Sequence, residues 1–184
     1  MHATLNSGNP PLDGVDRLEL AERQLAAART LPQVVEIVRR AARDLCGADG
    51  ATFVLRDDTM CHYVEEDAIE PLWRGLRFPM EVCISGWAML NKRPAVISDI
   101  YLDERIPHDA YLPTFVKSLA MVPIHSSAPV GAIGNYWAEE HLPSADEVRL
   151  LQALADATAL ALDNIALDNI ALDNIAPYAE LAES

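Results

Sequence analysis

The sequence predicts an α/β fold, or α+β in some schemes, in which helices cover one face of a mostly antiparallel sheet of five or six strands. Apolar residues recur every three or four positions near both ends of the chain, which is the period of an amphipathic helix. Between these ends lie short runs rich in β-branched and aromatic residues, which are typical of strands. The 184 residues allow one core with helical arms, since a domain commonly has about 150 residues.

The N-terminal part of the chain predicts a leader followed by two helices. Residues 1–14 are rich in Asn, Pro and Gly and are expected to be disordered. Residues 15–30 predict a helix with a coiled-coil seam, and a second, amphipathic helix is expected between Pro32 and Gly47. The apolar positions are Leu18, Ala21, Leu25 and Ala28 in the first helix, and Val34, Val38, Ala41 and Leu45 in the second.

The middle of the chain predicts the sheet, because its apolar runs are short and separated by turn residues. The expected strands are 51–55, 60–64, 95–98, 118–124 and 130–137. Short helices are expected at 86–90 and 109–116, and an irregular stretch at 65–79.

The last helix is predicted to begin at Ser144 and to reach at least Ile165. Asp146 and Glu147 in its first turn complement the helix dipole. Its two apolar rows are Val148, Leu151, Ala155, Thr158, Leu162 and Ile165, and beside them Leu150, Leu154, Ala157 and Ala161. Because the sheet covers only one row, the other is expected to meet a partner helix in a homodimer.

Residues 166–184 are expected to form a C-terminal helical extension with pentapeptide repeats. The sequence Ala-Leu-Asp-Asn-Ile occurs three times without a break, at 161–165, 166–170 and 171–175. Five residues advance a helix by about 140°, so the repeat itself builds no continuous stripe. Both a tandem duplication tolerated on a solvated helix and a length-setting linker to a lost output domain remain open.

Composition and charge exclude several classes of function. With 28 Asp and Glu against 14 Lys and Arg, the net charge of −14 argues against nucleic-acid binding, which depends on basic residues. Charges interrupt the apolar stretches, and the N-terminus does not resemble a signal peptide, so a cytoplasmic protein without membrane contact is expected. Cys46, Cys61 and Cys83 are not spaced as pairs, which argues against a disulfide framework or a zinc knuckle.

The order of these elements and several of their motifs resemble the GAF family of sensory domains. The matching segments are 83–88, 93–100, 117–124, 129–134 and 147–156. They look like the family's Gly-containing helix turn, its third strand with a trailing Asp, its two central strands and its final helix. The resemblance therefore assigns residues 31–165 to a GAF domain, similar to those of bacterial sensor histidine kinases. It implies a GAF/PAS-like sheet with a pocket on the face opposite the helices.

The resemblance also implies which side chains surround that pocket. An apolar cavity with a few polar groups is the usual form of a small-molecule site. The candidate ligand-binding residues are Trp73, Phe78, Cys83, Trp87, Asp99, His108, Tyr111, Phe115 and Met121. No sequence feature identifies the ligand, so the cofactor is unknown.

Two known GAF chemistries match the sequence only in part. The stretch 107–112 resembles the bilin attachment site of phytochromes, but Pro107 stands at the thioether position and excludes covalent attachment there. Cys83 lies near one of the cysteines of free methionine-R-sulfoxide reductases, while His108 stands where that enzyme needs a second thiol. These departures argue against an enzyme.

Metal and nucleotide sites find little support either. Cys61 and His62 are neighbours on a strand, so their side chains point to opposite faces and cannot share one ion. No metal site is therefore expected. The chain has Asn135-Tyr136 and, at the start of the last helix, Asp146-Glu147, but it lacks the Lys and Phe of the cyclic-nucleotide motif at the corresponding spacing. This weakens the case for such a site without removing it.

The function expected from these features is sensory and not catalytic. The domain is expected to bind a small ligand and to signal through the terminal helices of a homodimer to an output module such as a histidine kinase. The alternatives are a non-binding dimerisation module and, less favoured, a free methionine-R-sulfoxide reductase.

Overall fold

The computed structural model describes residues 12–182, with side chains as far as position 171; residues 1–11 of the predicted leader lie outside the described residues. The helices are α1 (Gly14–Ala27), α2 (Leu31–Cys46), α3 (Ile84–Asn91), α4 (His108–Tyr111) and α5 (Ala145–Ala182). The strands are β1 (Gly50–Asp57), β2 (Met60–Ala68), β3 (Arg77–Pro79), β4 (Ala95–Ile97), β5 (Ser118–Ile124) and β6 (Gly131–Trp137). Short 3₁₀ turns cover Met80–Val82 and Ile100–Leu102.

The six strands form one antiparallel sheet in the order β3-β2-β1-β6-β5-β4, which confirms the predicted fold class. Successive side chains along each strand point to opposite faces of the sheet. Phe53 joins the core beneath the long helices, while the next residue, Val54, joins a second core on the opposite face. Every residue of β5 and β6 is buried, so these strands are covered on both faces.

Helices α2 and α5 pack on one face of the sheet, as predicted, and α1 packs on these two helices. Helix α2 begins with a reciprocal capping box, in which the Thr30 hydroxyl accepts from the Gln33 N–H and the Gln33 side chain accepts from the Thr30 N–H. It ends at Gly47, whose φ of 58° lies in the left-handed region that suits glycine. These local signals explain why the limits of α2 agree with the prediction.

Three local expectations are wrong. The short helix expected over 109–116 ends at Tyr111, because Pro113 has no backbone N–H with which to continue the helical hydrogen bonds. Strand β2 continues past residue 64 to Ala68, since its C-terminal half pairs with β1. Strand β3 lies in the stretch expected to be irregular. Its three residues lack apolar alternation and form a strand only by pairing with β2.

The second apolar row of α5 is covered within the chain. Leu154 and Ala161 are buried, and α5 contacts α1 and α2 as well as β5. At the start of α1, a Cβ added to Gly14 would meet the side chain of Leu150. This cover removes the argument that the row must meet a partner helix, so the homodimer stays a prediction without that support.

By length and composition alone, α5 is apolar enough over Ala145–Ala171 to cross a membrane, with a mean hydropathy of 1.3. The sequence led us to expect charges to prevent this, but they are too widely spaced along α5. Of the apolar window, 33% is buried, and the helix packs on β5, α1 and α2. A core helix passes the same test, so the composition of α5 is weak support for a membrane span.

On the opposite face of the sheet, α3 lies directly against the 3₁₀ turn that precedes it. A Cβ at Gly86 would overlap the main chain of Met80, and both residues are buried. This position therefore needs glycine for close approach, and the contact fixes α3 beside the turn that follows β3.

We expect Gly86→Ala to destabilise the fold by about 1–3 kcal/mol or more, because the main chain of Met80 cannot move aside as a side chain can. Gly14→Ala is the matched control: it also adds a methyl group to a helix, but meets only the flexible end of Leu150. We expect it to change the free energy of unfolding by less than about 1 kcal/mol. Urea unfolding measures the free energy of unfolding of both variants. A Gly86→Ala protein as stable as wild type would contradict the close contact.

Candidate functional site

The candidate site lies on the sheet face opposite α1, α2 and α5, where residues 71–117 cover the strands. Seven of the nine predicted residues come together there. Trp73, Cys83, Tyr111 and Met121 are buried in its core, and Phe78, Trp87 and Phe115 are partly buried against that core. The predicted site is thus mainly one contiguous cluster.

Five rings in this core contact one another, and we call them the aromatic cluster: Tyr63, Trp73, Phe78, Tyr111 and Tyr136. Trp73 lies at the centre, with its ring centroid 4.7 Å from that of Tyr111 and 5.4 Å from that of Tyr136. Tyr63 lies edge-on to both Trp73 and Phe78, at 5.6 Å from each. Such pairs each contribute about 0.5–1.5 kcal/mol beyond burial, so the cluster holds residues 71–117 against the sheet.

Hydrogen bonds fix the position of Trp73. Its indole N–H donates to the carbonyl of Ala110 at 3.0 Å. The Glu66 carboxylate accepts from the backbone N–H groups of Leu72 and Trp73, at 3.1 and 3.0 Å. Trp73 is therefore tied to β2 through its backbone and to α4 through its side chain.

Sequence reasoning did not single out two members of the aromatic cluster, Tyr63 and Tyr136. Strand alternation could have found them, since Tyr63 lies two residues after Cys61 and shares its face of β2. The Tyr136 hydroxyl hydrogen-bonds the Thr52 hydroxyl at 2.9 Å in the buried core. Gly134 leaves room for this ring, because a Cβ there would lie 2.6 Å from the Tyr136 oxygen.

The electrostatics of the site are those of a neutral, apolar environment. None of the buried residues between positions 12 and 171 carries a charged side chain. Burial raises the pKa of Tyr63, Tyr111 and Tyr136 above the ordinary value, so these hydroxyls stay protonated. The core therefore offers neutral hydrogen-bonding groups, and it gives a phosphate or carboxylate no counter-charge.

The aromatic side chains fill the space between the sheet and residues 71–117. Five surface cavities of the described residues lie elsewhere, and none is lined by a member of the aromatic cluster. They lie along α1, α2 and α5, beside β4, and at the turn after β2. The region where we predict a ligand pocket is occupied by buried members of the aromatic cluster.

Cys83 immediately precedes α3 and belongs to a buried polar network beside the aromatic cluster. A hydrogen bond from the Cys61 thiol lowers the pKa of the Cys83 thiol below its ordinary value, with help from the Ser85 hydroxyl and the Gly86 N–H. Burial and the negative charge of Glu81 oppose this shift. The same hydrogen bond raises the pKa of Cys61 well above its ordinary value, so Cys83 is the thiol of the pair that ionises first.

Asp99 and His108 do not join the cluster. The Asp99 carboxylate accepts from the backbone N–H of Tyr101 at 2.9 Å and caps the second 3₁₀ turn. His108 is exposed, and its Nε2–H donates to the carbonyl of Ile100 at 2.9 Å. Both side chains therefore organise the local backbone.

Trp87 lies at the rim of the site between two cationic side chains. The guanidinium carbons of Arg93 and Arg105 lie 5.1 and 4.3 Å from the centroid of its ring. Arg105 is also held by the Asp103 carboxylate, at 2.7 and 3.0 Å. These cation–π contacts fix the edge of α3 rather than the interior of the site.

Comparison with known proteins agrees with this geometry. A family model described as GAF domain matches residues 28–163. The chain belongs to the GAF domain family. No curated protein sequence matches it.

Solved structures similar to this GAF domain come from proteins of different activities. The GAF domain of a Coxiella burnetii phosphoenolpyruvate-protein phosphotransferase is 17% identical, with a TM-score of 0.76 over 86% of this chain and 97% of that one. A free methionine-R-sulfoxide reductase from Neisseria meningitidis, in complex with its substrate, is 16% identical, with a TM-score of 0.74 over 91% and 99%. The phycocyanobilin-bound GAF domain of a cyanobacterial phytochrome is 20% identical, with a TM-score of 0.68 over 86% and 98%. At these identities the similarity shows the fold alone.

The GAF domain described here has few residues suited to covalent or metal chemistry. Pro107 caps α4 and carries no nucleophile. Among residues 12–171, no three His, Cys, Asp or Glu side chains lie close enough together to hold a metal ion. The chemically distinctive group of this site is therefore the thiol of Cys83 and its buried partners.

We expect alkylation of Cys83 by iodoacetamide to rise at lower pH than that of an ordinary thiol, because its lowered pKa lets the thiolate form earlier as pH rises. Cys46 is the internal control, since burial raises its pKa to about 12 and its rate should still be rising at pH 10. Cys61→Ala, which removes the main hydrogen-bond donor, should shift the Cys83 profile to higher pH. Peptide mass spectrometry measures each site, and identical profiles for Cys83 and Cys46 would contradict the expected ionisation.

Proposed function

We propose that this chain is a regulatory GAF domain that binds a small, neutral, largely aromatic or apolar molecule at the aromatic cluster. Ligand binding would be signalled through the terminal helices to an output module such as a histidine kinase. The domain itself would have no catalytic activity. The observation that supports this most is the composition of the cluster: aromatic rings and neutral hydroxyls lie together in a core without charged side chains. Apolar surfaces with a few fixed polar groups are typical of small-molecule sites.

The ligand would enter by displacing part of residues 71–117, which we call the cover of the sheet. Trp73 and Tyr111 come from residues 71–117, whereas Tyr136 and Met121 come from the sheet itself. A ring that replaced Trp73 would keep the contacts with Tyr136 and leave the sheet intact. Binding would then shift the equilibrium between a closed and an open position of the cover, in proportion to the ligand's preference for the open one.

Strand β5 offers a short route from the ligand to the terminal helices. Met121 faces the aromatic core, while its neighbours Ala120 and Val122 face the helical layer. Helix α5 packs on β5 and contacts α1, which lies at the other end of the described chain. A shift of β5 would therefore reach both terminal helices at once.

We also propose a cytoplasmic homodimer in which α5 meets its copy. Leu160, Leu167 and Ile170 are exposed along the outer part of α5, at 62%, 63% and 57% of their surface. Pairing with a second α5 would bury these side chains. This support is weaker than the second apolar row expected from the sequence, which α1 and α2 already cover.

The alternative is a non-binding dimerisation module, and one observation favours it. The aromatic cluster already fills the space between sheet and cover, so the domain needs no ligand to complete its core. The two functions differ in whether the cover opens.

A panel of small neutral aromatic molecules, indole among them, should raise the melting temperature of the wild-type protein. Trp73→Phe should strengthen binding up to about tenfold, because it removes the hydrogen bond to Ala110 that helps to keep the cover closed. Trp137→Phe is the matched control, since Trp137 packs in the core on the helical side. Calorimetric titration measures affinity. Binding by neither wild type nor Trp73→Phe would support the non-binding module.

Light scattering at tens of micromolar should give about twice the monomer mass of 20.2 kDa. Leu167→Glu should weaken association and leave the melting temperature of the domain unchanged, since position 167 lies outside both cores. Leu102→Glu is the control, because Leu102 is 84% exposed on the opposite side of the sheet. A wild-type monomer at these concentrations would overturn the dimer.

A further inference from the structure

The second core contains two thiols that the proposed function does not use. We propose that Cys61 and Cys83 form a reversible intrachain disulfide on exposure to a hydroperoxide, which would make this pair a redox-sensitive modification site. The proposal does not depend on the proposed ligand or on the dimer.

The two cysteines come from separate elements that meet in the core. Cys61 lies on β2, where its side chain faces the aromatic cluster, and Cys83 is the residue directly before α3. Both side chains lie in the same buried core and are exposed by 0% and 5%. Tyr63, which shares the face of Cys61 on β2, hydrogen-bonds Ser85 at 3.1 Å, and Ser85 lies 3.4 Å from the Cys83 sulfur. The fold thus places both cysteines in one buried cluster, which is the first requirement for a disulfide, and the influence of Cys61 on the pKa of Cys83 agrees with neighbouring sulfurs.

A polar network stabilises the charged form of Cys83. The Ser85 hydroxyl lies 3.4 Å from the Cys83 sulfur and 3.1 Å from the Tyr63 hydroxyl. The Gly86 N–H at the start of α3 also lowers the pKa of Cys83. With Cys83 ionised, Ser85 donates to the sulfur and accepts from Tyr63. The thiolate therefore has three donors in a site that otherwise disfavours charge.

The remaining titratable groups near the pair do not compete for this role. The neighbouring phenols Tyr63, Tyr111 and Tyr136 stay protonated. Glu81 opposes ionisation of Cys83, while Arg56 favours ionisation of Cys61. Cys83 is thus the attacking thiolate, and Cys61 is the resolving thiol.

The chemistry requires only the hydroperoxide. The Cys83 thiolate attacks the terminal peroxide oxygen, the O–O bond breaks, and the leaving oxygen takes up a proton as water or an alcohol. Cys83 is then a sulfenic acid. Cys61 loses its proton and attacks the Cys83 sulfur, an S–S bond forms, and the hydroxyl group leaves as water. In sum, two thiols lose two electrons and two protons, and a dithiol reductant reverses the change.

The test uses the full chain, reduced and then treated with equimolar hydrogen peroxide. Unreacted thiols are blocked with iodoacetamide, and peptides are mapped by mass spectrometry. We expect one species in which the peptides of Cys61 and Cys83 are joined with the loss of two hydrogens, and dithiothreitol should release them. This mapping needs no substitution, so a variant that fails to fold does not weaken it.

Variants then assign the roles. Cys61→Ser should leave a sulfenic acid on Cys83 that dimedone traps, and Cys83→Ser should leave Cys61 reduced. Cys46→Ser is the matched control and should oxidise at the wild-type rate, because Cys46 lies on the helical side and its sulfur hydrogen-bonds Glu147. A wild-type disulfide to Cys46 or between chains would overturn the proposal. So would sulfinic acid on Cys83 beside a reduced Cys61, or no oxidation in the folded protein.

Discussion

Strands β5 and β6 are buried on both faces, and this constraint governs how the rest of the chain is arranged. Helices cover one face, and since a helix satisfies its own backbone, they need only apolar rows that match the sheet. Residues 71–117 cover the other face with short helices and strands joined by irregular segments, so some of their backbone groups need side-chain partners. The carboxylates of Glu66, Asp99 and Asp103 accept hydrogen bonds from backbone N–H groups of this segment.

The two layers therefore differ in their chemistry. The helical side holds an almost purely apolar core, in which Asn135 donates its side-chain N–H to the carbonyl of Ala42 at 2.7 Å. The other side combines aromatic rings with hydroxyls and thiols that hydrogen-bond one another, including Tyr63, Ser85 and Cys83. Polar networks of this kind depend on each partner, so a change at one member affects the others. The sheet thus separates an apolar helical layer from a layer that contains hydrogen-bonded hydroxyls and thiols.

Features with strong local patterns could be predicted from the sequence, and those set by distant partners could not. Capping residues and apolar period located α2, whereas β3 exists only because β2 lies beside it. The same holds for the site. Trp73 lies in the second core, but none of the matching family segments contains it, and its position depends on hydrogen bonds to Glu66 and Ala110. His108 lies outside that core because its contact is with the nearby backbone of Ile100. Tyr136 was not among the predicted site residues, since its place in the aromatic cluster depends on the space that Gly134 leaves for its ring.

The pentapeptide repeats have a consequence for how this protein can vary. The second copy, residues 166–170, is exposed along its whole length and belongs to neither core. Tandem copies are prone to gain or loss during replication, and such an event here would leave the GAF domain unchanged. Each event would alter the helix in a fixed step, about 7.5 Å in length and 140° in direction. Replication errors could thus sample different alignments between the domain and anything joined to α5, with no mutation in the domain itself.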